Sequence, residues 1–239
     1  MRGSAAAVPV LFVVLSGSPA TAGEKERPGG DRPAEKALVF FDTIGATSIP
    51  TFLGRLRPAP LSATLRAQIL ATLPTEGELR PTAKENAKLA ALEPVLDFHG
   101  RKGTVEIKVI DVGHAFVGLH ARTVLLLSRD ALALVTPEEL QALAGHELGH
   151  EYLWNEYQAA MASAAHPRMQ ELELVCDGIA VMSLRALGLD PARLVTAVMK
   201  MTRYNERLGA TASARSYVSL DERRRFIEAM SARTATRER

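Results

Sequence analysis

The chain has 239 residues, 47% hydrophobic and 23% charged, with a formal net charge of +2. That length can bury a proper core, and so small a net charge singles out no class of partner. The one cysteine, Cys176, excludes an internal disulfide and reads as a small buried hydrophobe. Residues 1–22 read as a secretory signal peptide: Arg2, an apolar run over 5–15 too short to span a bilayer, and Ala20, Thr21 and Ala22 before Gly23. An uncleaved N-terminal anchor is the alternative reading. Residues 23–36 are rich in charge, Gly and Pro and read as a disordered linker. One domain is expected over 37–239, because no second linker follows.

Within that domain a strand is expected at 38–41, then irregular chain to 60, then a short helix over 62–73. Thr82 and Glu85 form a capping box that opens a helix, which Pro94 ends or kinks. Strands are expected near 104–111 and 123–128. Thr136, Pro137 and Glu139 supply an N-cap, a first-turn proline and a capping-box glutamate. Leu140, Leu143, Ala144 and Leu148 continue that helix at helical spacing. Further helices are expected at about 167–187, 191–208 and 220–232, with Gly188, Asp190 and Ser219 marking their boundaries. The fold class is α+β and helix-rich, with a small antiparallel sheet beside the helix that starts at Thr136. No later run reaches roughly 18 apolar residues, so no membrane span is expected in the mature chain.

His146, Glu147, Leu148, Gly149 and His150 carry the chemistry. An α-helix turns once in 3.6 residues, so histidines four apart project from one face and can share a zinc ion. Glu147 lies beside that face, where it can take a proton from a water activated by the metal. A third ligand is expected from another helix. Leu172, Val175, Ile179 and Met182 form an apolar stripe that packs the next helix inside the protein. Glu173 and Asp177 share one face of it, and a carboxylate there is costly to bury unless paired or metal-bound. Glu171 competes as a ligand but points about 200° away from Glu173.

The pair formed by this motif and Glu173-x-x-x-Asp177 resembles the gluzincin metallopeptidases of the HtpX, BepA and CAAX-prenyl-protease type. Three flanking stretches add to the likeness: 105–111, Ala115 with Phe116, and 124–132. The segment 219–223 resembles that family's terminal Ser/Thr-His-Pro-Ser-x-x-Glu-Arg. The resemblance covers about 82–230. It implies a zincin-like domain with one zinc ion held by His146, His150 and Glu173. It makes Glu147 the general base, with Asp177 holding a ligating histidine through its other ring nitrogen. Three positions depart from the family. His114 stands where asparagine is usual, the spacing from His150 to Glu173 is short, and Tyr217 and Val218 replace the terminal His-Pro. Tyr217, a phenol able to donate to an oxyanion, is therefore the candidate transition-state donor.

The expected activity is zinc-dependent endopeptidase cleavage of unfolded or envelope proteins, in a periplasmic or secreted protein. A protein or peptide is the expected partner. A catalytically weak zinc-binding chaperone or adaptor domain for envelope proteins is the alternative. Nucleic acid is not expected: Arg223, Arg224 and Arg225 interleave with Asp221, Glu222 and Glu228 and read as a solvated helix face. His99, His114, His120 and His166 have no ligand spacing among themselves. His114 precedes the expected edge strand, which in peptidases of this kind can pair with an extended substrate.

Overall fold

The computed structural model describes residues 33–45, 47–210 and 218–235. The segment expected as a signal peptide, the linker up to residue 32, and Tyr217 lie outside them. The described chain is helix-rich α+β, with a four-stranded sheet on one side of a helical core. No single helix among the described residues is long and apolar enough to cross a membrane.

The N-terminal part departs from expectation. Residues 33–36 are not linker, and 38–41 is not a strand: Pro33–Phe40 is a helix, α1, followed by a 3-10 turn at Asp42–Ile44 and helix α2 at Ile49–Leu56. Leu38, Val39, Phe40 and Phe41 favour a strand by local preference. The buried positions nevertheless recur at helical spacing, with Ala37 and Phe41 four apart. Phe41 fixes the outcome by tertiary packing: its ring lies against Gly178, where any Cβ would come within 2.4 Å of it.

Helices α3 (Ala63–Thr72) and α4 (Ala83–Ala90) form as expected, capped by Ser62 and by the Thr82–Glu85 capping box. Pro94 falls in the first turn of a new helix, α5 (Glu93–Phe98), so the chain breaks before it. Four strands follow the order β1-β2-β4-β3: β1 is Glu78–Leu79, β2 Glu106–Ile110, β3 Val117–His120 and β4 Val124–Ser128. The sheet is mixed, not antiparallel: β2 and β4 pair in parallel, while β1–β2 and β3–β4 are antiparallel. The connections explain this. Residues 111–116 carry the chain past one strand position, a span of about 10 Å. The tight turn after β3 then folds β4 back into the gap.

Strand β4 is buried throughout. Its Leu125 and Leu127 face the helical core, whereas Val124 and Leu126 meet Phe116 and the α3 side chain Leu70 on the other face. Helix α6 (Arg129–Leu134) leads into α7, Pro137–Tyr152, whose capping box at Thr136 and Glu139 forms as read from sequence. A break at Leu153 separates α7 from the unexpected α8, Trp154–Ala162. Helix α9, His166–Ala186, ends at Gly188, where φ is +70° and glycine is the unstrained choice. Helices α10 (Ala192–Arg207) and α11 (Leu220–Thr234) complete the fold.

Helices α7 and α9 are the centre of the molecule. Glu139 to Glu151 of α7 and Leu172 to Leu184 of α9 are buried without interruption. So long a run is an all-round apolar environment, not the one stripe that the α9 pattern suggested. Small residues let the two axes approach. Gly149 faces Cys176, whose Cα would be 3.0 Å from an added Cβ, and Gly145 faces Ala180. The residue inside the histidine motif is thus chosen by packing, and the close crossing brings Glu173 opposite His146 and His150.

Candidate metal centre

His146 and His150 stand one turn apart on α7, both fully buried, with ring centroids 5.1 Å apart and planes at 84°. From α9, Glu173 brings Oε2 to 3.4 Å from His146 Nε2 and Oε1 to 3.7 Å from His150 Nε2. Neither Nε2 has a hydrogen-bond partner among the described residues. A buried polar atom left unpaired costs about 1–3 kcal/mol. Two such nitrogens aimed at one carboxylate therefore call for a ligand that serves all three. Ligand atoms of His146, Glu147 and His150 also lie within 4.8 Å of one another, and this buried His-Glu-His cluster can hold a metal ion.

Glu147 differs from Glu173 in how its carboxylate is used. Its Oε2 accepts the Leu119 N–H at 3.0 Å, while Oε1 has no partner. Leu119 lies on β3, the edge strand of the sheet, so the strand holds one carboxylate oxygen and leaves the other free.

A second ring of contacts fixes these groups. His146 Nδ1 lies 2.8 Å from Asp177 Oδ1. Arg223 donates Nη1 to Asp177 Oδ1 at 2.8 Å and Nη2 to Glu173 Oε2 at 2.9 Å. Tyr157 donates its hydroxyl to Glu173 Oε1 at 2.8 Å, with its ring edge-on to His150 at 4.8 Å. Arg223 corrects the sequence reading: it is not part of a solvated face but only 3% exposed. Its signal was present, because Phe226, Ile227 and Met230 form a buried stripe whose previous turn lands on Arg223. Tyr157 was also missed. It lies on α8, beyond the break at Leu153, so no helical spacing from His150 signals it in the sequence.

Electrostatics follow from burial and these contacts. Burial alone would lower the His146 pKa, but the carboxylates of Asp177 and Glu173 outweigh it and raise it to about 10. Burial pushes the Glu147 carboxyl up to about 8, with His146 opposing and Glu173 adding to the shift. Burial lowers His150 to about 4. Burial would also raise Glu173, yet His150, His146 and Arg223 hold it far below the ordinary carboxylate range. The site thus combines one strong anion with an imidazolium at His146 and a neutral imidazole at His150, whose Nε2 atoms face it. A dication bound here would displace the His146 proton, since a ligating imidazole must offer a lone pair.

Other candidates lie elsewhere. Glu171 turns away and pairs with Arg168. His99 is buried with both nitrogens engaged: Nδ1 is 2.9 Å from Tyr152 Oη, and Nε2 is 2.9 Å from Ser183 Oγ. Ser183 donates to the Ile179 carbonyl, so it accepts from Nε2–H, and Tyr152 then donates to Nδ1. His114 Nδ1 contacts the Val112 carbonyl at 2.9 Å, outside the cluster. Cys176 is buried, and that burial pushes its thiol pKa up, as suits an inert packing residue. No family model matches the chain, and no curated protein matches it.

Proposed function

We propose that the protein is a zinc-dependent endopeptidase with a gluzincin-type centre in a zincin-like domain. His146, His150 and Glu173 are the metal ligands, and Glu147 is the general base. The observation that carries this reading is the convergence of two partnerless Nε2 atoms on the Glu173 carboxylate. Two imidazoles and one carboxylate suit zinc and leave a coordination position open. Zinc held there would polarise a peptide carbonyl and acidify water toward neutrality.

The chain's own groups do the rest. Oε2 of Glu147 stays on the Leu119 N–H, so Oε1 is the oxygen that takes a proton from water and returns it to the leaving amine. Burial raises its proton affinity above that of an ordinary carboxylate, and a dication held by His146 and His150 would lower it again, toward the ionised base. Asp177 holds His146 by Nδ1, leaving Nε2 to the metal. Strand β3 is the edge strand beside Glu147 and the position at which an extended polypeptide would pair, although its four residues are buried and its Leu119 N–H is held by Glu147. The leader-like residues 1–22 support export, so unfolded envelope or secreted proteins are the proposed substrates.

One observation favours a second reading, a catalytically weak metal-binding chaperone or adaptor module. The Ala115 N–H and C=O, on the same edge of the sheet, are both bonded to the Asn205 amide, at 2.8 and 2.9 Å, which closes part of the edge to a substrate. Hydrolysis of an unfolded protein, with and without chelator, separates the two. The peptidase reading expects cleavage that stops with chelator and returns with zinc. Glu147→Gln should keep fold and metal and lose roughly 10²–10⁴-fold in rate. Equal activity of wild type and Glu147→Gln on every substrate would sink the peptidase reading.

A further inference from the structure

Resting on that metal-site reading, we infer that Tyr157 is a positioning residue that locks the Glu173 carboxylate in its metal-facing orientation. Each oxygen of Glu173 has one imidazole on its inner side and one donor on its outer side. Oε2 lies between His146 and Arg223, and Oε1 between His150 and Tyr157. Arg223 is itself tied to Asp177, so its grip on Oε2 is fixed. A grip on one oxygen does not fix the plane of the group, because the last torsion of a glutamate side chain is broad. The Tyr157 hydroxyl supplies the second point.

Tyr157 is built for this task. It is 3% exposed, and its ring plane stands at 89° to that of His150. The phenol therefore reaches one ligand while its ring braces another. It comes from α8, a helix that belongs to neither metal-facing helix but joins them. A buried tyrosine generally needs an acceptor for its hydroxyl. Here the acceptor is the one carboxylate that faces both free imidazole nitrogens, so the bond restrains the centre and does more than satisfy the phenol.

The test uses the full chain, stripped of metal and titrated with Zn²⁺ against a chromophoric chelator and with Co²⁺ by visible absorption. Tyr157→Phe removes only the hydroxyl and keeps the ring. Zinc affinity should fall about 10- to 100-fold, the range for loss of a residue that orients a metal ligand. The cobalt band should change in intensity or position. In a Glu173→Ala background the same substitution should change residual affinity less than about twofold, because the group it orients is gone. Wild-type affinity with an unchanged cobalt spectrum for Tyr157→Phe would overturn the inference. So would an equal loss in both backgrounds, which would mean that the hydroxyl acts through the general fold. A wild-type protein that takes up neither ion would overturn the metal-site reading itself.

Discussion

Glu151 and Glu173 lie on either side of His150, the first next to it on α7 and the second facing it from α9. They are 3% and 4% exposed, and both are held by arginine. Around Glu151 the contacts close. Oε2 meets Arg101 Nε at 2.5 Å, and Oε1 meets Arg122 Nη2 at 3.2 Å. Arg101 also donates to the Gly100 and Pro58 carbonyls, and Arg122 to that of Ala59. This cluster ties three loops to the end of α7. Around Glu173 the contacts stay open: His146 Nε2, His150 Nε2 and Glu147 Oε1 remain without partners among the described residues. Buried charge therefore does not distinguish a site from a structural brace, whereas unpaired nitrogens aimed at a carboxylate do. The histidines repeat the contrast, since His99 is as buried as His146 but has both nitrogens bonded.

Removing each acid or its partner tests the contrast. Glu173→Ala should abolish most metal binding, while Glu171→Ala, which loses only an exposed contact with Arg168, should retain about one ion per chain. Elemental analysis of the purified variants decides. Equal metal content in the two would break the distinction between the open and closed clusters.

Arg101→Ala attacks the closed cluster. It leaves Glu151 Oε2 buried without its donor while Arg122 still holds Oε1, so the cost should be at or below about 3–5 kcal/mol, the figure for a buried pair broken outright. Urea unfolding should show that loss, yet the folded fraction should keep its metal. Metal lost together with stability, under conditions where the variant is still folded, would mean that Glu151 supports the centre directly.

These two clusters also show what a sequence can carry. His146, Glu147 and His150 are legible because helical geometry alone puts them together. Glu173 and Asp177 are legible because acids are out of place on an apolar helix. Arg223 was obscured by its neighbours: in a run of three arginines only the helix phase says which one points inward. Arg101 and Arg122 meet Glu151 across roughly 50 and 29 positions of chain, and no local pattern encodes that meeting. The same holds for the fold. Capping boxes at Thr82 and Thr136 are local and were read correctly. The parallel pairing of β2 and β4 depends on which strand the chain skips. The helical state of 33–40 depends on Phe41 meeting Gly178, a contact made only in the folded protein.

The smallest expected effect separates two terms at Arg122. The turn between β3 and β4 is closed by the Thr123 N–H on the His120 carbonyl, at 2.9 Å. Its central residues, Ala121 and Arg122, have φ of +45° and +59°. These are the signs of a type I′ turn, which favours Asn-Gly over Ala-Arg. A non-glycine residue in that region costs on the order of 1 kcal/mol. Arg122 offsets this by its bonds to Glu151 and to the Ala59 carbonyl, worth together about 1–2 kcal/mol for a partly exposed side chain. Arg122→Ala should therefore lose about 1–2 kcal/mol, because the strain stays and the bonds go. Arg122→Gly loses the same bonds but relieves the strain, so it should be about 1 kcal/mol more stable than the alanine variant. Glycine's larger unfolded-state entropy works against that difference, though relief of a positive φ generally outweighs it. Denaturant midpoints of the three proteins give the order: wild type, then glycine, then alanine. An alanine variant as stable as the glycine one would show that the turn stores no strain, and two variants level with wild type would show that Arg122 contributes nothing to the closed cluster.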